Sequence, residues 1–380
     1  CGAMGVGMIG LALFAAVMLL AHLASTALTL RRYRKPPPRR GMIGTPRLTL
    51  VRPVCGVEAF DTLTLGSSFR QDYPDYEVIF CVQRPDDPAI ALVRGLIAAN
   101  PGVPARLLIG EAGHLRNPKL RNIWKGWHAA QTDWICVTDS NLLLPRTYLS
   151  TVCAAWGPQT GLVSSPPVGT RPQGLAAHLE CAFLNANQAR LQLAADTLGM
   201  GFAQGKTLFF YRPILDRAGG LAALDRCLAE DVNATRLIRA MGRDVTLTPV
   251  PFAQPIGRRS LRQVWDRQVR WAQVRREGFP ALSWVEPLNG GLLPVLATFV
   301  AAHLAGVPLV TGLAMALVWY GAEMALMRRA GWSAGWRDIA CLPLRDLLIP
   351  LIWLEALTRR TVSWRGTRFG ASTPTTAETA

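Results

Sequence analysis

The stretch Trp134-Ile135-Cys136-Val137-Thr138-Asp139-Ser140-Asn141 runs apolar for several residues and then ends on an acid. Its β-branched and aromatic residues favour extended chain. A short apolar run bounded by turn formers reads as a strand buried on both faces. Ligands of parallel sheets bind outside the carboxyl ends of the strands, so Asp139 stands where such a sheet opens its crevice. A carboxylate there can hold Mg²⁺ or Mn²⁺ against the phosphates of a nucleotide. The same Asp-Ser-Asn triplet also suits a turn or a helix cap.

Three more strand–helix pairs precede it. Strands are expected at 48–54, 76–82 and 106–109, with helices at 59–69, 87–99 and 119–130, and a further strand at 208–211. Short apolar strands alternating with helices predict βαβ units and a mostly parallel, Rossmann-like sheet. The fold class is therefore α/β, in a domain covering 46–285.

The two ends of the chain are different in kind. Residues 4–30 are apolar almost throughout, longer than the roughly 20 residues that cross a bilayer. A basic, proline-rich linker (31–45) follows, opening Arg31-Arg32-Tyr33-Arg34-Lys35-Pro36-Pro37-Pro38-Arg39-Arg40. Cations on one flank of a span place that flank in the cytoplasm, and beside a span they suit anionic phospholipid headgroups. Past the domain, 286–357 holds apolar stretches at 288–304 and 306–327, and a shorter one at 341–357 containing Arg345 and Asp346. Charge inside the last stretch and cations at both of its ends suggest a re-entrant or interfacial segment. The tail 358–380 is basic, then small and polar, and is expected to be disordered. The fold as a whole is thus an α/β domain flanked by transmembrane helices (1–30 and within 286–357), a multi-pass inner-membrane protein with its domain on the cytoplasmic side.

Composition agrees. The chain of 380 residues is 50% hydrophobic and 17% charged, yet its net charge is +16. The mean hydropathy is +0.20. A nucleic-acid binder this basic needs a more polar surface, so no nucleic-acid partner is expected. The cations gather at 31–40, 258–276 and 359–368. The eight cysteines are scattered, with no Cys-x-x-Cys spacing, so neither structural zinc nor a disulfide framework is expected. Cys55, Cys81 and Cys136 read as buried thiols.

Three further elements carry chemistry. Arg84-Pro85-Asp86-Asp87-Pro88 puts acids past the second strand, where an Asp also caps a helix well. Leu228-Ala229-Glu230-Asp231-Val232 brings an acid pair to a helix start, where it complements the dipole or serves as a general base. Arg267-Gln268-Val269-Arg270-Trp271 places two guanidiniums on one helical face, suited to a membrane surface or to clamping a pyrophosphate.

In this order, between apolar segments, these elements resemble the D…D…D…(Q/R)xxRW pattern of lipid-directed family-2-like glycosyltransferases with a GT-A fold, and most closely the ceramide glucosyltransferases. Asp72-Tyr73-Pro74-Asp75-Tyr76-Glu77-Val78, Cys81-Val82-Gln83, Asn117-Pro118-Lys119 and Ser363-Trp364-Arg365 are similar to that family as well. The resemblance implies that Asp87 lies near the nucleotide and that Asp139 binds the metal, Mg²⁺ or Mn²⁺. It implies that Asp231 deprotonates the acceptor, and that Lys119, Arg267, Arg270 and Trp271 bind the nucleotide sugar. The activity implied is inverting transfer of a hexose, glucose first, from a UDP-sugar donor to the hydroxyl of a membrane lipid acceptor, ceramide first. No obligate protein partner is implied.

Around Phe183-Leu184-Asn185-Ala186-Asn187-Gln188 the animal ceramide enzymes carry a His where this chain has Asn187. Gly199-Met200-Gly201-Phe202-Ala203-Gln204-Gly205-Lys206-Thr207 also differs from their loop. These departures bear on the acceptor more than the donor, and bacterial relatives that glycosylate hopanoid polyols from a UDP-N-acetylhexosamine look similar here. The non-enzyme alternative is a transporter, for which the spans offer only His22, His303 and Glu323 as interior polar groups.

Overall fold

A computed structural model describes residues 2–35, 43–112, 114–226, 229–359, 361–364 and 367–370. The prolines and arginines at 36–40, the tail 371–380, Cys1, Cys227 and Arg365 lie outside them. Trp364 lies within the described backbone.

The chain opens with helix α1 (Gly2–Arg34), followed by β1 (Leu48–Val54), α2 (Asp61–Gly66), β2 (Tyr76–Val82), α3 (Ala89–Ala98), β3 (Ala105–Ile109), α4 (Pro118–Ala129) and β4 (Trp134–Thr138). Next come α5 (Tyr148–Ala154), β5 (Thr160–Ser164), β6 (Pro167–Gln173), α6 (Leu175–Ala182), a π-helical stretch (Phe183–Ala189), α7 (Arg190–Thr197), β7 (Thr207–Tyr211) and α8 (Arg212–Arg217). The domain closes with α9 (Glu230–Ala240), β8 (Asp244–Leu247), β9 (Phe252–Arg258), α10 (Leu261–Gly278) and α11 (Pro280–Ser283). After it stand α12 (Leu292–Leu304), α13 (Val310–Arg329), α14 (Trp336–Thr358) and a hairpin of β10 (Thr361–Trp364) and β11 (Thr367–Gly370).

Seven strands form one twisted sheet in the order β3-β2-β1-β4-β7-β5-β8. The first four are mutually parallel. Strand β7 runs antiparallel to both β4 and β5, and β5 pairs parallel with β8. This is the α/β, mostly parallel sheet expected of a GT-A domain, and strands β1 and β2 have the expected bounds. Parallel strands need both faces covered: Leu48, Leu50, Ile79, Phe80 and Val137 are buried in the main core. Strands β6 and β9 form a separate parallel pair. Cys81 and Cys136 are buried as expected. Cys55 is only half-buried, because β1 ends one residue before it.

The antiparallel β7 matters most for the site. Its first residue, Thr207, is in register with the last residue of β4, Thr138. The amino end of β7 therefore lies at the same sheet edge as the carboxyl ends of the parallel strands.

Two helices, 5–34 and α13, are long and apolar enough to cross a membrane. Helix α12 has 13 residues, short of a bilayer core, because the expected 288–304 stretch is interrupted by Gly290 and Gly291. Helix α14 is longer than the expected 341–357 segment, and Arg345 and Asp346 within it are neither exposed nor alone. Arg345 donates to both Glu323 oxygens at 3.0 and 3.1 Å and to Asp346 at 2.7 Å. Asp346 also accepts from Gly291 N at 2.6 Å and Tyr320 Oη at 3.1 Å. His22 stacks on Trp319 with centroids 3.8 Å apart. Buried charges persist when paired and hydrogen-bonded, and these fasten α12, α13 and α14 together.

One basic residue departs from its expected place. Arg32 does not face lipid: it is 4% exposed and donates to Asp196 (2.5 Å), Thr248 O (2.8 Å) and Pro249 O (3.2 Å). Helix α1 continues without a break through Arg31–Arg34, so one helical face of that stretch turns inward against the domain.

Candidate active site

Lys119 is the centre of a charged cluster at the binding edge of the sheet. Asn117 caps α4, its side chain accepting from Lys119 N (2.8 Å) and Leu120 N (3.2 Å), with Pro118 at the first helical position. That cap fixes where the Lys119 side chain leaves the helix. Its ammonium meets Asp139 Oδ1 and Glu230 Oε1, both at 2.8 Å, and Gly205 O at 2.5 Å. All three N–H donors of the ammonium are thus used. Lys206 Nζ bonds the other Asp139 oxygen at 2.9 Å and Asn141 Oδ1 at 3.0 Å. Asp231 accepts from Gly205 N and from its neighbour Val232 N, each at 2.8 Å.

The electrostatics follow from this packing. Burial works against ionisation of Asp139, but Lys119 and Lys206 outweigh it and hold its carboxyl well below the usual range. Burial likewise opposes the Lys119 charge, and Asp139 with Glu230 reverse that and raise its pKa. Burial lowers the Lys206 pKa; Asp139 opposes the shift and the nearby Arg267 adds to it. Asp231 goes the other way: burial and then the Glu230 charge push its carboxyl up to about 6, against the bond from Gly205. Two acids of the cluster are thus set apart, one firmly ionised and one with its carboxyl raised toward neutrality.

Asp87 joins the edge from β2. Its carboxylate accepts from Gly56 N at 3.0 and 2.9 Å and from Ala89 N at 2.9 Å. It therefore both satisfies the first amide of α3 and ties down the turn after β1, where Gly56 takes φ +68°, a conformation glycine adopts without strain. Beyond that turn lies a cavity of about 220 Å³ lined by Glu58, Phe60, Asp61, Asn141, Gly257 and Arg259, among others.

Helix α10 reaches the cluster from the far side, its start fixed by a Ser260–Gln263 capping box. Arg267 pairs with Glu180, which is fully buried, and Arg259 stands 3.6 Å from the same carboxylate and 3.1 Å from Glu58. Arg270 is half-buried, one turn along the same helix. Trp271 packs on Ala177, Cys181, Leu184 and Ile256.

The sheet edge thus brings Lys119, Asp139 and Asp231 together, with Arg267 close by. Asp87 touches the backbone of the β1 turn, and Trp271 belongs to a small apolar cluster. Four contributors were not assigned roles from sequence: Lys206, Glu230, Glu180 and Arg52. Arg52, fully buried in β1, donates through Nη2 to Ser140 O (3.0 Å), Leu142 O (3.2 Å) and Thr64 O (3.2 Å), and so holds the loop that carries Asp139. An arginine inside an otherwise apolar strand was the available clue.

Among the described residues no three His, Cys, Asp or Glu side chains gather as a metal cage. The oxygens of Asp139 and Asn141 do converge on one point, filled by the Lys206 ammonium. That pair suits Mg²⁺ or Mn²⁺, ions commonly held by one or two protein oxygens plus substrate phosphates.

An acid raised toward neutrality beside a cationic crevice at a sheet edge is suited to group transfer. The family profile described as Glycosyl transferase family 21 matches residues 9–377, and the chain belongs to that family and is a hexosyltransferase. Among its curated relatives, ceramide glucosyltransferase 3 of Caenorhabditis elegans is 25% identical, covering 90% of this chain and 76% of the relative. Ceramide glucosyltransferase 1 of the same organism is 24% identical over 95% and 78%. A solved mannosyltransferase from Pyrobaculum calidifontis, in complex with GDP-mannose and Mn²⁺, is 19% identical, covers 89% of this chain and 99% of its own, and has a TM-score of 0.49.

Proposed function

We propose that the enzyme transfers glucose from UDP-glucose to the primary hydroxyl of ceramide, inverting the anomeric centre. The observation that carries this reading is the contrast between Asp231, with its carboxyl pKa raised to about 6, and Asp139, locked ionised by two lysines. An alcohol is too weak an acid to attack unaided and needs a positioned base as the bond forms. Asp231 takes that proton, and Gly205 N holds its carboxylate in place. Lys206, Arg267 and Arg270 face the charge that develops on the departing diphosphate. Asp87 keeps the β1 turn shaped for the nucleotide. A divalent cation on Asp139 and Asn141 would supply further charge neutralisation of the diphosphate.

The acceptor meets this edge from a bilayer. Helices α1 and α13 serve as spans of a multi-pass inner-membrane protein, the domain lies on the cytoplasmic side, and exposed cations such as Arg31, Arg328 and Arg329 meet anionic headgroups. The second reading, transfer of N-acetylglucosamine from its UDP-sugar to a hopanoid polyol, is favoured by Asn187. It sits buried in the π-helical stretch, a type of element common at functional sites, where the animal ceramide enzymes carry histidine.

The test is incubation of membranes containing the enzyme with radiolabelled UDP-glucose or UDP-N-acetylglucosamine and either ceramide or hopanoid polyol, followed by lipid extraction. Labelled ceramide from UDP-glucose supports the first reading. Label only in hopanoid supports the second, and no labelled lipid in any arm overturns both.

A further inference from the structure

Lys119 and Lys206 touch the same carboxylate but are held very differently. Lys119 is anchored by three acceptors belonging to α9, the β7 approach and the β4 loop. Among the described residues the Lys206 ammonium bonds the Asp139–Asn141 pair alone, two oxygens from residues two apart on one loop. Asp139 does not depend on Lys206 for a counter-charge, since Lys119 already binds its other oxygen. Paired carboxylate and amide oxygens are the donor set of a hard cation, and an ammonium on a flexible four-carbon stem imitates one as a point charge. Arg267 lies close enough to act on the Lys206 charge. Two like charges facing one space are stabilised by an anion between them.

We propose that Lys206 is the resident occupant of the Asp139–Asn141 cation seat, and that it leaves this seat for the donor diphosphate when a divalent cation enters. The inference rests on the nucleotide-sugar reading given above. It makes Lys206 a binding residue with two positions, one that keeps the seat neutral and ordered before the donor arrives and one on the diphosphate afterwards. No bond is made or broken in the exchange: one cation replaces another at Asp139, and the ammonium keeps its proton throughout.

The experiment uses the purified full-length chain in detergent, with Lys206→Met and Lys206→Gln as neutral variants and Lys206→Arg as the charge-retaining one. Mn²⁺ binding without nucleotide is read by the loss of the free-ion paramagnetic resonance signal, and UDP binding at saturating Mg²⁺ by calorimetry. Removing the competitor is expected to tighten Mn²⁺ binding at least fivefold in a neutral variant with a native melting profile. Losing one charge-assisted bond is expected to weaken UDP binding at saturating Mg²⁺ about tenfold, and Lys206→Arg is expected to restore most of it. Unchanged or weaker Mn²⁺ binding in the neutral variants, or equal loss of UDP in all three, overturns the proposal while leaving the donor reading intact. A wild-type chain that binds neither Mn²⁺ nor UDP overturns the donor reading and this inference together.

Discussion

Gly205 and Glu230 stand so close that a Cβ on the glycine would lie 2.7 Å from Glu230 Oε1. The same atom would be 3.1 Å from Lys119 Nζ and 3.5 Å from Asp231 Oδ2. The backbone of residue 205 is thus threaded between the charged groups, donating to one acid and accepting from the lysine. Gly205→Ala is expected to displace Glu230 and Lys119 together and to lower transfer at least about tenfold, since small misplacements of this kind are costly. Radiolabel transfer against melting temperature checks it; full activity in a folded variant refutes the close approach.

Asp231→Asn removes the proposed proton acceptor while keeping the shape. Loss of transfer by about 10²–10⁴-fold is expected, the scale of general-base catalysis, with UDP binding retained. In the native enzyme the base works as carboxylate, so the rate should rise with pH through about 6 and level off above it. Because this carboxyl is raised on folding, its ionisation also disfavours the folded state above that pH, a cost that fades as pH falls toward the unfolded value. A flat rate profile between pH 5 and 7.5 would remove Asp231 from the role.

Lys119→Met leaves Asp139 and Glu230 facing each other without their shared cation. Lys119 is 6% exposed and Glu230 10%, so the loss resembles breaking a buried pair, about 3–5 kcal/mol. The melting temperature of the detergent-purified chain should fall by on the order of 10 °C. A change of only a degree or two would mean that water already screens the pair.

Glu180→Gln withdraws the one carboxylate shared by Arg267 and Arg259. Arg267 then loses its carboxylate partner, while Arg259 keeps its contact with Glu58. The expected outcome is a rise in the KM for the nucleotide sugar of about tenfold, larger than the change for the lipid acceptor. An equal effect on both substrates would point to a general loss of structure instead.

How far the site was legible depended on strand direction. Asp87 and Asp139 follow strands β2 and β4, and Asp231 opens a helix, so strand ends and helix starts in the sequence pointed to them. Lys206 precedes strand β7, and a reading that expects parallel strands assigns the amino end of a strand to the opposite edge of the sheet. Only the antiparallel pairing of Thr207 with Thr138 brings it round. Glu180 and Arg52 were hidden for another reason: each is a charge inside a buried segment, and its purpose lies in partners far along the chain. Arg32 was misplaced because a run of cations carries no mark of which helical face turns inward.

Arg32 also sets a mechanical rule. It rivets the last turns of α1 to Asp196 and to the carbonyls of Thr248 and Pro249, so the helix enters the domain without a joint. Each residue of a helix adds about 1.5 Å of rise and about 100° of turn. With α1 read as a span, the height of the sheet edge above the bilayer and the direction it faces are counted in residues between the apolar stretch and Arg32. Adding or deleting one residue there would swing the rivet off its partners, making that short count a ruler for how high and in which direction the sheet edge is held.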